Sequence, residues 1–553
     1  MNNKKINIIL YFVLVIAAIY FNVWCWFGVD SFDSFYWINQ FIDCKLSSPM
    51  VNGMILIGHW YTELFGANLI SYRIGAYIIS VVTCILPYIV LLDKYERKNN
   101  LFYFVFGFIS FLSLTPGFLF HIDLFSKLFF CILACLLSLF YKKNNCFYVL
   151  CMGIISILMV IIRFPNILVV PFVVILLFII TIYINSNTNK STNIKNCLIY
   201  ESLYVGLLCV GILLYSFLMN GNLWGYALSI INDLHHPTMG GHSIDMLFWC
   251  MFRDFDSVLV YFGILVLMFF TYKISIQYDK KRQYVILTGA LLFFIFMLYR
   301  DITYTFYNWQ VNLFLVSYVC FILLYQLYYH KFGIVEFVLL GCAVLSFLGS
   351  DTGLYKFAPI LLCFLPIITS NIENSIKFNK FALVVSVIVL LFVLFNYTKG
   401  FDEDRIYKMT ATIEGVPGLE GIRTTPKRCD WVKTIYNKCD SILNETDNVF
   451  IYGNKCHIFR YSTKRNPRFT TTMMMSLNNE QEINNVIKPY VYKETPVVVC
   501  VFAYPAKNIE VYNENKNELT SSYFHSCMIQ NNYQVSIYDG YAIYTPNYDI
   551  VCQ

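Results

Sequence analysis

Two carboxylates three residues apart follow directly on the first hydrophobic run of the chain. Asp30 and Asp33 belong to the segment Gly28–Trp37, which begins where the apolar run Ile6–Phe27 ends. In a helix, residues three apart project from one face, so the pair could share a ligand, a metal ion or a proton. An acidic side chain near hydrocarbon costs free energy, and it does not help to anchor a helix in the membrane. This cost favours a functional role for the pair. The alternative is a solvated helix cap, for which Asp and Ser are equally suited.

The composition is that of a polytopic membrane protein. Of the 553 residues, 58% are hydrophobic and 13% are charged, and the mean hydropathy is +0.58. Soluble domains carry about 25% charged residues. The first apolar run is long enough to span a bilayer and no small-residue cleavage site follows it, so we expect a retained helix. The 19 cysteines show no CxxC pair and no zinc-type spacing, which argues against a structural zinc site.

Hydrophobic runs predict about thirteen transmembrane helices before Tyr397. The predicted spans are Ile6–Phe27, Leu69–Leu92, Leu101–Phe120, Leu124–Tyr141, Cys146–Arg163, Ile167–Ile184, Cys197–Met219, Ser257–Tyr272, Tyr284–Tyr299, Val311–Tyr328, two that end near Ser350 and Thr369, and Phe381–Tyr397. The segment Asn39–Asn68 suits helices lying along the membrane surface. Asn220–Asp256 is predicted to be a long polar loop, and Arg300–Trp309 a tight aromatic turn.

Short connections rich in Lys and Arg alternate with connections that carry the acidic and histidine residues. Lys94–Lys98, Lys142-Lys143 and Lys280–Arg282 are examples of the basic set. By the positive-inside rule, the N-terminus is predicted to be cytoplasmic, and an odd number of helices then places everything after Tyr397 outside. We therefore expect a multi-pass protein of an inner membrane with an extracytoplasmic C-terminal region.

The chain after residue 397 has the pattern of a soluble α/β domain. Buried strands are predicted at Val449–Gly453 and Pro496–Phe502, with helical spacing between them at Glu480–Tyr492. Tyr533–Ile537 and Tyr541–Tyr544 predict a hairpin around Asp539-Gly540. The predicted fold class is thus a polytopic all-α membrane domain, residues 1–397, followed by an α/β domain, residues 398–553.

The remaining candidate site residues lie at the predicted outer ends of several helices. They are His59, His121, Asp123, Arg163, Arg300, Asp301, Tyr304 and Asp351. A transporter would more often carry such groups near the middle of the membrane, on broken helices in repeated halves. Here the spans are almost free of charge and show no repeat. An outer polar rim suits an enzyme whose lipid-linked substrate enters from the bilayer while a second substrate comes from water.

The two arginines are candidates for holding a phosphate group, because a guanidinium fork matches phosphate oxygens. Arg163 could instead be an anchor that snorkels to the interface. Arg300 stands beside Asp301, so a plain ion pair is the alternative there. His59 and His121 are candidates for sugar or phosphate contacts.

Aromatic and histidine residues supply the other candidates. Tyr304, with the nearby Tyr307 and Trp309, suits sugar stacking or an interfacial aromatic belt. Asp351 could contact a bound substrate, or it could belong to a simple turn. His235 and His236 could bind a divalent metal ion together with Asp30, and this metal is the one cofactor that the residues suggest. Loop histidines more often have no such role.

The quoted elements together resemble a known family. They are the acidic pair, Glu63–Asn68, Ser71–Gly75, His121-Ile122-Asp123 and the closing α/β domain. In this combination the chain resembles the membrane-embedded glycosyltransferases of the C superfamily, in the branch of bacterial aminoarabinose transferases and protein mannosyltransferases. The resemblance implies transfer of a sugar from a polyprenyl-phosphate donor to a glycan, lipid or protein acceptor on the outer face of the membrane. No nucleic-acid partner is implied.

The resemblance also implies roles for three carboxylates. An acidic residue of the first outer loop acts as base or metal ligand, which maps to Asp30 or Asp33, and a second maps to Asp123. Asp-Ser-Phe-Asp stands where the family has an adjacent Asp-Glu. We therefore favour Asp30 as the base and keep Asp33 and Asp123 as alternates. The alternative functions are a polysaccharide polymerase or ligase of related architecture and a lipid-linked glycan flippase or transporter.

Overall fold

The structure is a computed structural model that describes most of the helical region and much of the C-terminal region. The described residues are 3–29, 33–44, 46, 51–113, 120–187, 194–235, 254–275, 277–304, 309–328, 333–347, 358–370, 385, 387, 406–442, 449–453, 458–459, 477–478, 480, 483–503, 506 and 509–547. Asp30, His236, Asp351, Tyr307 and most of the predicted span Phe381–Tyr397 lie outside these ranges.

The N-terminal part of the chain is helical. Its helices are α1 (Asn3–Val23), α2 (Asp33–Asp43), α3 (Asn52–Phe65), α4 (Leu69–Leu91), α5 (Lys94–Asn99), α6 (Leu101–Ser113), α7 (Ile122–Lys143), α8 (Cys146–Ile162), α9 (Val169–Asn187), α10 (Ile194–Asn220), α11 (Leu223–His235), α12 (Phe255–Ser275), α13 (Lys280–Tyr304), α14 (Trp309–Tyr328), α15 (Ile334–Phe347) and α16 (Ala358–Ser370). Two short helices, α2 and α3, lie between the first two predicted spans, and their orientation along a membrane surface stays a prediction.

Six of the described helices are long and apolar enough to cross a membrane, so the chain is a polytopic membrane protein. They span Lys5–Trp26, Leu69–Leu91, Ile122–Lys143, Phe164–Ile184, Lys195–Met219 and Phe255–Ser275. Five shorter apolar helices coincide with further predicted spans: Leu101–Ser113, Cys146–Ile162, Leu313–Tyr325, Ile334–Ser346 and Ala358–Ser370. The count of thirteen spans is not confirmed.

Two segments predicted as loop or turn are helical instead. The predicted loop Asn220–Asp256 begins with helix α11, because Tyr226 and Ile230 are buried on one face. The Tyr226 ring packs edge-on against Tyr215 of α10 at 5.6 Å. The predicted turn at Arg300 was also wrong, since α13 continues through Tyr304. A helix satisfies its own backbone hydrogen bonds, which favours its continuation where water is scarce.

Alternation of the helices gives the bundle two ends with different residues. At the first-loop end, α1 finishes, α4 and α7 begin, and α8 finishes. At the opposite end, Lys142 near the end of α7 donates a hydrogen bond to the Leu91 carbonyl oxygen at the end of α4, over 3.1 Å. Asp123 and Arg163 therefore lie at the same end as the acidic segment, as the topology prediction requires.

The C-terminal region contains a mixed sheet. Its strands are β1 (Ala411–Thr412), β2 (Arg423–Thr424), β3 (Val449–Tyr452), β4 (Val497–Val501), β5 (Tyr533–Ile537) and β6 (Tyr541–Pro546). The four-stranded sheet has the order β3-β4-β6-β5, with β3 parallel to β4 and the other pairs antiparallel. Helices α17 (Pro426–Ile442), α18 (Lys488–Glu494), α19 (Ile509–Thr520) and α20 (Tyr523–Gln530) accompany it. The four predicted strands are confirmed.

The turn between β5 and β6 provides a sharp test of this packing. Gly540 has a φ of +85°, and a Cβ atom there would lie 2.5 Å from the Ala503 carbonyl oxygen. Gly415 has a φ of +74° with nothing within 4 Å of such a Cβ. We expect Gly415→Ala to cost about 1 kcal/mol, the left-handed backbone penalty alone. Gly540→Ala should cost about 3 kcal/mol, because a steric clash adds to that penalty.

The measurement is thermal unfolding of the full chain in detergent, with protease resistance of the C-terminal region as the local readout. Gly415→Ala is the matched control, because it introduces the same methyl group at a similar φ. Equal losses in the two variants would contradict the packing described around Gly540.

Candidate functional site

A buried arginine of α4 fixes the backbone that leads into the acidic segment. Arg73 is only 2% exposed. Its Nη1 donates to the Phe27 carbonyl oxygen at 2.9 Å, to that of Gly28 at 3.0 Å, and more weakly to that of Cys25 at 3.4 Å. A charge inside an apolar span needs such partners. Arg73 therefore holds the chain where α1 ends and the acidic segment begins.

The C-terminal region holds the same backbone from the other side. The Gly28 N–H donates to the Arg423 carbonyl oxygen of β2 at 2.8 Å. Arg428, 8% exposed at the start of α17, donates from Nη1 to the Val29 carbonyl oxygen at 2.7 Å. Gly28 has a φ of +79°, which a residue with a side chain rarely adopts. The residue immediately before Asp30 is thus fixed between α4 and the C-terminal region.

Helix α2 begins at the second carboxylate of the pair. Asp33 is the first residue of α2, a position where the helix dipole favours a negative charge. The role of the Asp33 side chain stays a prediction. The next residue, Ser34, is buried and lines a small cavity. The lining residues are Ser34, Ile38, Leu69, Tyr72, Arg73 and Phe120. The start of α2 therefore lies beside the segment that carries His121.

Three predicted site residues come together where α7 begins and α8 ends. His121 Nε2 lies 3.7 Å from Asp123 Oδ2, and Arg163 Nη1 lies 3.8 Å from Asp123 Oδ1. Asp123 stands in the first turn of α7, where the helix dipole favours its charge, and Arg163 follows the last residue of α8. The antiparallel course of the two helices places both residues at one end. We call these three residues the His-Asp-Arg cluster.

Burial decides one of the alternatives left by the sequence. Arg163 is 6% exposed, so it does not reach into water as a snorkelling anchor would. Both of these distances to Asp123 exceed hydrogen-bond length. The Arg163 contact is an ion pair, and the His121 contact is one when the imidazole is protonated.

The scaffold around this cluster includes a residue that the sequence prediction missed. Asn166, in the turn after Arg163, donates from Nδ2 to Ser126 Oγ at 3.2 Å and to the Met159 carbonyl oxygen at 3.0 Å. These bonds join the end of α8 to the first turns of α7. A polar residue directly after Arg-Phe-Pro in an apolar stretch was the available signal, since a buried amide requires partners.

Aromatic rings hold the residue before His121. Phe120 lies 4.6 Å from the Tyr61 ring and 5.8 Å from the Tyr72 ring, measured between centroids. Phe41 and Phe125 complete this set, at 6.0 and 5.2 Å from Phe120. Since Tyr61 lies on α3 and Phe41 on α2, these two helices support the His-Asp-Arg cluster from the side.

His59 of α3 is half-buried and has a defined tautomer. Its Nδ1 lies 2.9 Å from the Phe41 carbonyl oxygen. A carbonyl oxygen only accepts, so Nδ1 carries the proton and Nε2 is the accepting atom in the neutral ring. The described contacts do not bring His59 into the cluster with Asp123, and its substrate role stays a prediction.

Several other predicted site residues are described only by their backbone. These are Asp33 in α2, His235 at the end of α11, and Arg300, Asp301 and Tyr304 in the last turns of α13. Their side chains fall outside the description, as do Asp30, His236 and Asp351 in full. The roles assigned to these residues therefore stay predictions.

The metal prediction can be compared only with the described part of the chain. There, no group of three or more His, Cys, Asp and Glu side chains could hold a metal ion. A site formed by Asp30, His235 and His236 concerns side chains outside that description and stays a prediction.

Arg428 offers a direct test of the contact between the two regions. Arg428→Gln removes a charged donor from the Val29 carbonyl oxygen, and losses of about 1.5–3 kcal/mol are typical for such bonds. We expect a lower thermal midpoint and faster proteolytic release of the C-terminal region. Lys438→Gln, on the exposed face of the same helix, removes the same charge and serves as the control. Equal behaviour of the two variants would contradict the role assigned to Arg428.

Comparison with known proteins gives structural neighbours alone. No family model matches the chain, and no curated protein matches it. Three solved structures from Archaeoglobus fulgidus are similar to it, all at 12% identity. The oligosaccharyltransferase in complex with Zn and sulfate has a TM-score of 0.48, with 96% of this chain and 73% of that chain covered.

The other two structures differ in what they contain. The archaeal oligosaccharyltransferase AglB in complex with an inhibitory peptide and a dolichol-phosphate has a TM-score of 0.49, covering 98% of this chain and 74% of that chain. The oligosaccharyltransferase tethered with an acceptor peptide has a TM-score of 0.47 at the same coverage, 98% and 74%. With TM-scores below 0.5, none of the three bears on the function of this chain.

Proposed function

We propose that the chain is an integral-membrane glycosyltransferase that moves a sugar from a polyprenyl-phosphate donor to a glycan, lipid or protein acceptor on the outer face of the membrane. One observation carries the proposal. The His-Asp-Arg cluster and the fixed backbone before Asp30 lie at the same end of the bundle, on α7, α8 and the end of α1. This arrangement combines a candidate base with a candidate anion-binding arginine.

The carboxylates and the arginine at this end of the bundle suit a displacement reaction in which phosphate is the leaving group. In direct displacement, the acceptor hydroxyl oxygen forms a bond to the anomeric carbon while the bond from that carbon to the phosphate oxygen breaks. The hydroxyl proton passes to a carboxylate, for which Asp30 is our candidate. The electron pair stays on the leaving phosphate, and Arg163 is the candidate for stabilising that charge. Asp33 and Asp123 are the alternate bases.

The position of the charged groups supports an enzyme over a transporter. Arg163 and Asp123 lie at helix ends rather than at the middle of the spans. Arg73 is deeper in its helix, but its Nη1 donates to backbone carbonyl groups of the chain itself, so it has a structural partner. A transport pathway would need charged or polar groups along its whole length.

The test uses the full chain in proteoliposomes with polyprenyl-phosphate donors that carry a radiolabelled sugar. Covalent label on an added acceptor is the expected result. Label that crosses the bilayer while still attached to its lipid would instead show a flippase. Product in which sugar units are joined into long chains would show a polymerase. No transfer from any donor would contradict the proposal.

A further inference from the structure

A second cavity lies at the opposite end of the bundle, between α1, α4, α5 and α6. Its volume is about 560 Å³, which is in the range of ligand pockets. The lining residues are Asn7, Ile8, Tyr11, Leu14, Ile85, Tyr88, Ile89, Lys94, Arg97, Lys98 and Phe104. We call it the basic groove, because apolar walls lead to three cations. None of its residues belongs to the candidate site described above.

The walls of the basic groove carry exposed apolar side chains of two helices that are long and apolar enough to span a membrane. Ile8 and Tyr11 of α1 are 61% and 53% exposed, and Ile89 of α4 is 53% exposed. The lining residues of α1 run from Asn7 to Leu14, which is a length of ~10 Å along the helix. A channel of that length between two spanning helices fits the first part of an acyl chain.

The floor of the groove is rigid. The Tyr88 ring stacks on the Phe104 ring with a centroid separation of 4.0 Å. The Tyr88 hydroxyl donates to the Arg97 carbonyl oxygen at 2.5 Å. These contacts fix α5 over the ends of α4 and α6, and they place its cations at the mouth of the groove.

Among the residues that the structure describes, the three cations at the mouth have no acidic partner. In the part of the chain that the structure describes, neither Lys94 nor Arg97 nor Lys98 forms an ion pair. The two neighbouring carboxylates face the helix backbone instead. Asp93 accepts from the Tyr95 and Glu96 N–H groups, and Glu96 accepts from the Asp93 N–H, each at 2.8 Å. The mouth of the groove therefore has a positive charge available to a ligand.

We propose that the basic groove binds an anionic phospholipid, with one acyl chain between α1 and α4 and its phosphate held by Lys94, Arg97 and Lys98. Basic pockets between helices at the cytoplasmic side of a membrane suit such head groups. The positive-inside pattern of the sequence predicts that side for α5. The bound lipid links α1 to α5 and is independent of the proposed transfer reaction.

The test measures binding of radiolabelled phosphatidylglycerol to the full chain in mixed micelles, against phosphatidylcholine of the same acyl chains. We expect at least tenfold tighter binding of phosphatidylglycerol. The variant K94Q/R97Q/K98Q should lose that preference. The variant K280Q/K281Q/R282Q removes three cations from the start of α13 and should keep it.

Two further measurements separate the acyl chain from the phosphate. Ile89→Trp fills the groove without changing charge and should weaken phosphatidylglycerol binding several-fold. Glycerol phosphate, which lacks the chain, should not compete. Three results would each overturn the proposal. They are equal affinity for the two lipids, an equal loss of the lipid preference in both triple variants, and displacement of the bound lipid by polyprenyl phosphate at a lower concentration than by phosphatidylglycerol.

Discussion

Asp30→Asn is expected to reduce sugar transfer by about 10²–10⁴-fold, with little change in the KM for the donor. The amide keeps the size of the carboxylate but cannot accept the hydroxyl proton, and removal of a general base has effects of this order. The backbone before Asp30 is fixed at Val29 by Arg428 and at Gly28 by Arg73. Such fixed positions suit a group that must meet the acceptor at a defined distance.

Asp33→Asn should have a smaller effect than Asp30→Asn. Asp33 is the first residue of α2, where a carboxylate also stabilises the helix by about 0.3–1 kcal/mol. Its replacement should therefore lower thermal stability slightly and leave most of the transfer rate. Asp43→Asn changes a carboxylate at the other end of α2 and is the control for loss of charge alone.

The measurement is single-turnover transfer from a labelled donor, with folding of each variant checked by its thermal midpoint. Full activity of Asp30→Asn together with inactivity of Asp33→Asn would assign the base to Asp33. Full activity of both variants would remove the acidic segment from the mechanism.

Hydrophobic patterning predicted the helices well because length and apolar content are properties of each segment alone. The predicted span Leu69–Leu92 corresponds to α4, Leu69–Leu91. Strand positions followed for the same reason, since the run Pro496–Phe502 is buried on both faces as β4, Val497–Val501. The failure at α11 has a tertiary cause. Polar residues suggested a loop, but burial of Tyr226 against Tyr215 stabilises a helix that propensity alone did not indicate.

The candidate site was predictable in part. Lys and Arg alternation placed Asp123 and Arg163 on one side of the membrane, and the antiparallel course of α7 and α8 then implies their proximity. Arg73 had a signal too, because a charge within an apolar span needs a partner. Arg428 had no such signal. It stands in an ordinary polar helix, 399 residues along the chain from Val29, whose carbonyl oxygen it binds. Such pairings depend on the docking of two regions and leave no local pattern.

The His-Asp-Arg cluster predicts that Asp123 and Arg163 act together. Asp123→Asn and Arg163→Gln should each lower kcat/KM about 10²-fold, because each leaves a buried partner without its opposite charge. The double variant should lose much less than the product of the two, with a coupling of about 1–3 kcal/mol. Additive losses would show that the 3.8 Å approach of the two side chains has no functional consequence.

The individual kinetic constants distinguish two roles for Arg163. If its guanidinium holds the phosphate of the donor, Arg163→Gln raises the KM for the donor and lowers kcat, and Arg163→Lys restores part of the rate because the charge remains. If Arg163 only orients Asp123, kcat falls while the donor KM stays unchanged, and Lys restores little because the fork geometry is lost. His121→Gln is the companion variant. It removes the imidazole whose Nε2 lies 3.7 Å from Asp123 Oδ2 and should have a smaller effect, because that contact is an ion pair only when the imidazole is protonated.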